Sequence, residues 1–116
     1  GACRSASDLD GSWKLTLIRV GNTPQQTPGQ FHIYLKLHNG ALSGHGGCNH
    51  LNGQYTADQQ AFTVPMVAST KIACLEASPW ENKFLERLRA SKTYRLEGDV
   101  LEVECGDLGG LVFERE

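Results

Sequence analysis

The segment from Phe31 to His38 constrains the fold more than any other stretch of this chain. Phe31, Ile33, Leu35 and Leu37 fall on one side of an extended backbone, and His32, Tyr34, Lys36 and His38 fall on the other. A sustained period of two is what a strand with one buried and one wet face requires. Asn39-Gly40 follows at once, the dipeptide best suited to the paired positive φ angles of a type I′ turn. Ala41 to Gly46 is therefore predicted to return antiparallel.

The rest of the chain repeats this grammar with one interruption. Trp13 to Leu17 alternates and runs on through Val20, a first strand. Gly21 to Gly29, with Pro24, Pro28 and several Gln, reads as a long loop. Tyr55 to Ala57 and Ala61 to Val64 flank Asp58-Gln59-Gln60 as a second hairpin, and Met66 to Ala73 is a stretch of small and β-branched residues. The period then changes. Ser78-Pro79-Trp80-Glu81 reads as a helix start, with Ser78 as N-cap, Pro79 at the first position and Glu81 at the third. Trp80, Phe84, Leu85 and Leu88 form an apolar stripe at helical spacing. Arg87 and Arg89 suit the negative pole of the dipole, and the helix spans about 78–90. Thr93 to Glu97, Leu101 to Cys105 and Leu111 to Glu114 close the chain as three short strands separated by Gly98-Asp99 and by Gly106 to Gly110. One helix cannot cover so many strands on both faces. The predicted fold is thus α+β but mostly β: a curled antiparallel sheet or partly open β-barrel, the helix packed against one side, then a three-stranded C-terminal meander.

Composition narrows the function. At 116 residues the chain fits one domain, and its formal charge of -2 with no Lys/Arg cluster argues against nucleic acid. No apolar run is long enough for a spanning helix. The four cysteines, Cys3, Cys48, Cys74 and Cys105, form no CxxC pair and no zinc spacing. Their even number fits an oxidising compartment, and spacing alone leaves all three pairings open. Gly1-Ala2-Cys3 reads as the end of a bacterial lipoprotein signal, with Cys3 acylated and residues 1–8 a tether; the competing reading is an ordinary thiol.

Four motifs in order resemble the META domain, the family of the HslJ heat-shock lipoprotein. Leu9-Asp10-Gly11-Ser12-Trp13 resembles an opening L-x-G-x-W. Gly47-Cys48-Asn49 through Gly53 and Tyr55 resembles the central G-C-N-x-x-x-G-x-Y. Ser69-Thr70-Lys71-Ile72-Ala73-Cys74 resembles S-T-x-M-A-C, with Ile72 where Met is common. Glu81 to Leu88 resembles E-x-x-F-L-x-x-L. The match covers nearly everything from Leu9 onward, so 9–116 is taken as one META domain. Cys105 lies outside these motifs. The resemblance implies a bacterial envelope protein, often a lipoprotein, tied to stress, and it implies no known reaction.

Among these motifs Cys48 and Cys74 are the candidate disulfide, with Cys3 to Cys105 a second pairing if the tether folds back. Trp13, Gly47, Asn49, Gly53, Tyr55, Ser69 and Thr70 are the motif positions expected to fix turns and strand crossings. Two sharper readings compete at the Gly-Cys-Asn segment. Cys48 beside His45 and His50 suggests a reactive thiolate, but no orienting third residue is evident and a disulfide would abolish it. The same three side chains as a metal site lack a fourth ligand. Ser69-Thr70-Lys71 lacks the three-residue Ser/Lys spacing of β-lactam enzymes. The Trp80/Phe84/Leu88 stripe is core or, in an open barrel, the lining of a ligand cleft. Cys105 continues the Leu101/Val103 face and is expected to be buried. The expected function is therefore a monomeric, non-catalytic envelope module without cofactor or metal. It would bind an unknown protein or apolar ligand, or support the envelope under stress, and touch membrane only through Cys3. The alternatives are an inhibitor of a protease or lysozyme, using the Gly21 to Gly29 loop, or a pilotin-like secretion accessory.

Overall fold

The computed structural model describes residues 6–116, so Cys3 and the proposed acylation site lie outside the described residues. Nine strands and one helix follow in the order β1 (Gly11–Val20), β2 (Thr23–Gln26), β3 (Ile33–His38), β4 (Ala41–Gly46), β5 (His50–Ala57), β6 (Phe62–Ser69), α1 (Ser78–Arg89), β7 (Thr93–Glu97), β8 (Val100–Glu104) and β9 (Gly109–Arg115). All pairings are antiparallel, and the sheet runs β6-β5-β4-β3-β1-β9-β8-β7 with β2 added to β1. The last strand docks beside the first, which seals the two halves of the chain into one sheet.

That sheet curls into a half-barrel. Register shifts at Leu15/Leu17 and Gln54/Thr56 mark irregularities of the kind that bend a strand and increase its twist. The curl brings the two end strands together: Phe62 N–H donates to the Lys92 carbonyl (3.0 Å), Tyr94 N–H to that of Gln60 (2.9 Å), and Ala61 bridges Thr93. The helix α1 links these same two strands in sequence and packs against β6, β9 and β4. The β3–β4 turn has φ of 47° at Asn39 and 85° at Gly40, as the hairpin dipeptide predicts.

The interior is filled by side chains. Trp13, Phe62, Phe84 and Phe113 have no exposure, and Ile33, Leu35, Leu37, Leu51, Leu88 and Leu101 surround them. Phe84 of α1 meets Phe113 of β9 edge-on at 6.2 Å between ring centroids, a favoured geometry for buried aromatic pairs.

Three local expectations are corrected. The Gly21 to Gly29 loop contains β2, which pairs with β1 from Val20↔Thr23 to Leu17↔Gln26. Gly21, at φ 62°, supplies the positive angle of a two-residue turn, and Pro24 is tolerated because β2 is an edge strand. The helix begins one residue earlier than expected at its cap: Ala77 is the N-cap and makes no side-chain cap bond, while Ser78 Oγ accepts the Cys74 N–H (3.0 Å). The buried face of α1 carries Glu81, Phe84, Leu85, Arg87 and Leu88, and Trp80 is only half-buried, its ring beside Lys83 Nζ at 5.1 Å.

Replacing Phe84 with Ala should lower stability by about 3–5 kcal/mol, read as a drop in the urea midpoint. A loss below about 1 kcal/mol would mean that α1 does not complete the core.

Candidate functional site

The β4–β5 connection carries the Gly-Cys-Asn motif and is the most heavily bonded turn in the molecule. Gly46 N–H donates to the Asn49 carbonyl (2.9 Å), and Gly47 N–H donates to His45 Nδ1 (3.1 Å). Gly47 sits at φ 104°, a conformation that side chains rarely tolerate. The turn so formed points the N–H groups of Cys48 and Asn49 at a single oxygen, Glu81 Oε2, at 3.0 and 2.6 Å. Asn49 Nδ2 donates to the other carboxylate oxygen at 2.7 Å. Glu81 is 4% exposed. Three N–H donors replace the water that this carboxylate has lost, without which its burial would be prohibitive.

Asn49 spends its whole side-chain amide here. Oδ1 accepts from Thr70 Oγ1 (2.8 Å) and Ile72 N–H (2.7 Å), while Nδ2 donates to the Ile72 carbonyl (2.9 Å) as well as to Glu81. Two donors and two acceptor sites are all that an amide offers. Asp could not stand here: it has no N–H₂ to give, and its charge would face Glu81. Cys48 is joined to Cys74 across a sequence separation of 26, worth about 3 kcal/mol by the chain-entropy argument. The motif therefore ties β5, the segment after β6 and the helix start into one knot.

The remaining motif residues serve the frame around this knot. Gly53 lies where a Cβ would run into the Met66 carbonyl of β6. Trp13 is buried, donates Nε1–H to the Leu9 carbonyl (2.8 Å), and carries the Arg115 guanidinium 4.2 Å above its ring. Arg115 also binds the carbonyls of Asp8 and Asp10. Tyr55 is buried with its hydroxyl 3.5 Å from Asp10 Oδ1, and burial pushes its phenol above the ordinary value. Ser69 pairs with Leu51 at the end of β6, and Thr70 continues that pairing through its N–H to the His50 carbonyl.

The sharper chemical readings find little to stand on. Cys48 is oxidised, so neither a thiolate nor a Cys/His metal set can form there. No group of three or more His, Cys, Asp or Glu suited to a metal occurs among the described residues. Cys105 is a buried free thiol, which leaves the Cys3–Cys105 pairing unmade. Burial pushes its thiol up to about 11.

Two functional positions escaped sequence reasoning. Glu81 reads as a helix-start residue, yet its carboxylate turns away to the Gly-Cys-Asn turn. Arg87 reads as a dipole partner, yet it is buried and donates Nε–H to the Arg19 carbonyl (3.0 Å). A signal for Glu81 existed: it stands three, four and seven residues before Phe84, Leu85 and Leu88, on the core stripe itself.

These features define a class of small half-barrels in which one helix is locked to a disulfide-tied turn. The chain belongs to the META domain family, whose model matches residues 7–116. No curated protein matches it. Among solved structures, an NMR structure of a protein from Burkholderia xenovorans is 22% identical with a TM-score of 0.77, covering 95% of this chain and 85% of that one. A crystal structure of a DUF4847 family protein from Bacteroides vulgatus is 13% identical with a TM-score of 0.72, covering 97% and 98%. At these identities the likeness is one of fold.

In the native protein Cys105 should resist iodoacetamide at about pH 8, well below its raised value, and react once the chain unfolds. Peptide mapping separates it from Cys3; rapid native labelling at Cys105 would contradict its burial.

Proposed function

We propose that this chain is a non-catalytic module of the bacterial cell envelope, held to the membrane by acylation at Cys3, that binds an envelope component or supports the envelope under stress. The observation that carries this reading is the consumption of the signature motif by the fold. Every side-chain bond of Asn49 and the sulfur of Cys48 are spent internally. A motif so fully occupied serves as a staple and leaves no reactive group to attack a substrate. The disulfide also favours an oxidising compartment.

The filled interior favours an occupant on the surface over an apolar ligand within. The hydrolase-inhibitor reading has less support, because its candidate loop is laid along β1 as β2, with Thr27 N–H bonded to the Thr16 carbonyl (3.2 Å). The pilotin-like role rests on the family resemblance alone.

The test is to express the gene with its native N-terminus, fractionate the cells and measure the mass of the product. The expected result is a membrane-associated protein with Cys3 lipidated and Cys48–Cys74 oxidised. A cytosolic product with both thiols reduced would overturn the envelope assignment.

A further inference from the structure

The outer surface of the half-barrel is divided by charge. No Asp or Glu occurs between Asp10 and Asp58, and none in β6, so β3, β4, β5 and β6 carry no carboxylate. The outward positions of β7, β8 and β9 hold Glu97, Glu102, Glu104 and Glu114 instead. All four histidines of the chain, His32, His38, His45 and His50, lie on the carboxylate-free side with Lys36 and Lys14.

The cross-strand register sets these residues in rows. Lys14, Tyr34, His45 and His50 are successive partners across β1, β3, β4 and β5, and Lys36, Ser43 and Asn52 form the next row. The rings of Tyr34 and His45 lie nearly parallel at 6.4 Å, His45 meets His50 edge-on at 5.1 Å, and Lys36 Nζ is 5.9 Å from the Tyr34 ring centre. The result is a shelf of rings, amides and hydroxyls with cationic ends, built on rigid sheet. It has no large exposed aliphatic side chain at its centre, unlike the anchor of a protein interface.

We propose that this outer face of β3, β4 and β5 is a docking surface for an extended anionic polysaccharide, held by Lys36 and protonated His50 and released as the imidazole loses its charge. The inference deepens the reading of this chain as a binding module and rests on it. Sugar rings stack on aromatic faces, their hydroxyls suit Ser43 and Asn52, and their carboxylates or phosphates suit the cations. The charged groups around the shelf fix which histidine gates it. His32 faces Glu116 at 3.0 Å and His38 faces Asp10 at 3.4 Å, so charge on either is met internally. Lys14 stands opposite Glu114 on β9. His45 keeps Nδ1 as the acceptor for Gly47 N–H, which fixes the neutral tautomer with its hydrogen on Nε2. His50 is exposed; its neighbours are His45 and Thr70, and Lys71 follows in the chain. An imidazole so placed adds its positive charge to that of Lys36 below about pH 6.5 and withdraws it above.

The experiment titrates the full, oxidised chain with polygalacturonate at about pH 5.5 and about pH 7.5, either side of the ordinary imidazole value. Neutral dextran, polyglutamate and phosphatidylglycerol vesicles run in parallel. Polygalacturonate should bind roughly tenfold more tightly at the lower pH, weaken with added salt, and exceed the other three probes. The exposed double variant Lys36→Gln/His50→Gln should lose most of that gain while keeping its melting temperature; Tyr34→Ala should weaken binding at both pH values. The proposal is overturned by no binding to polygalacturonate at the lower pH. Equal or stronger binding of any other probe, or an unchanged pH dependence in the double variant, also overturns it. Failure here leaves the localisation result untouched, and a cytosolic location leaves this titration readable, so the two readings fall separately.

Discussion

The carboxylate of Glu81 is the contact on which the rest of the structure hangs. A nearly dry anion is tolerated only where donors replace its water, and here the Cys48 and Asn49 N–H groups and the Asn49 amide all converge on it. Hydrogen bonds to a charged group contribute about 1.5–3 kcal/mol each. They also fix geometry, because the turn must place two successive N–H groups on one oxygen. Gly46 takes part by having no side chain: a Cβ there would lie 2.7 Å from the carboxylate. The helix, the hairpin turn and the segment leading into the helix are thus positioned by one group.

The disulfide and the amide act on the same turn from different sides. Cys48–Cys74 limits the unfolded chain, while Asn49 orders the folded one by pinning Thr70 and Ile72. The helix that Glu81 anchors is the same helix whose Phe84 closes the core over Phe113. Helix α1 is also the link between β6 and β7, the strands whose backbone bonds bring the sheet round on itself. Curl, core and motif are therefore coupled. An oxidised, internally satisfied motif also accounts for a surface-binding reading better than for a catalytic one.

Much of this was legible in the sequence because strands announce themselves locally. The alternation of Ile33, Leu35 and Leu37 and the Asn39-Gly40 turn are short-range signals, and the hairpin formed by β3 and β4 follows from them. The meander from Thr93 onward is legible for the same reason. β2 was not, since Pro24 and a run of Gln carry no alternation and its pairing depends on the turn at Gly21. Glu81 was misread because a Glu in the first helical turn has an ordinary local explanation, whereas its real partner is 32 positions away. The same limit applies to Asn49: its residue type hints at a turn, but four bonds to two distant segments cannot be read from neighbours. The histidine row is likewise a product of register across three strands.

The most direct test of this account is a double-mutant cycle between Glu81→Gln and Asn49→Ala, with unfolding free energies measured by denaturant titration of the oxidised protein. Glu81 and Asn49 acting as one buried unit predicts single losses that do not add, with a coupling of about 1–3 kcal/mol. Additivity to within about 0.5 kcal/mol would contradict the claim that the motif and the helix are held by this carboxylate.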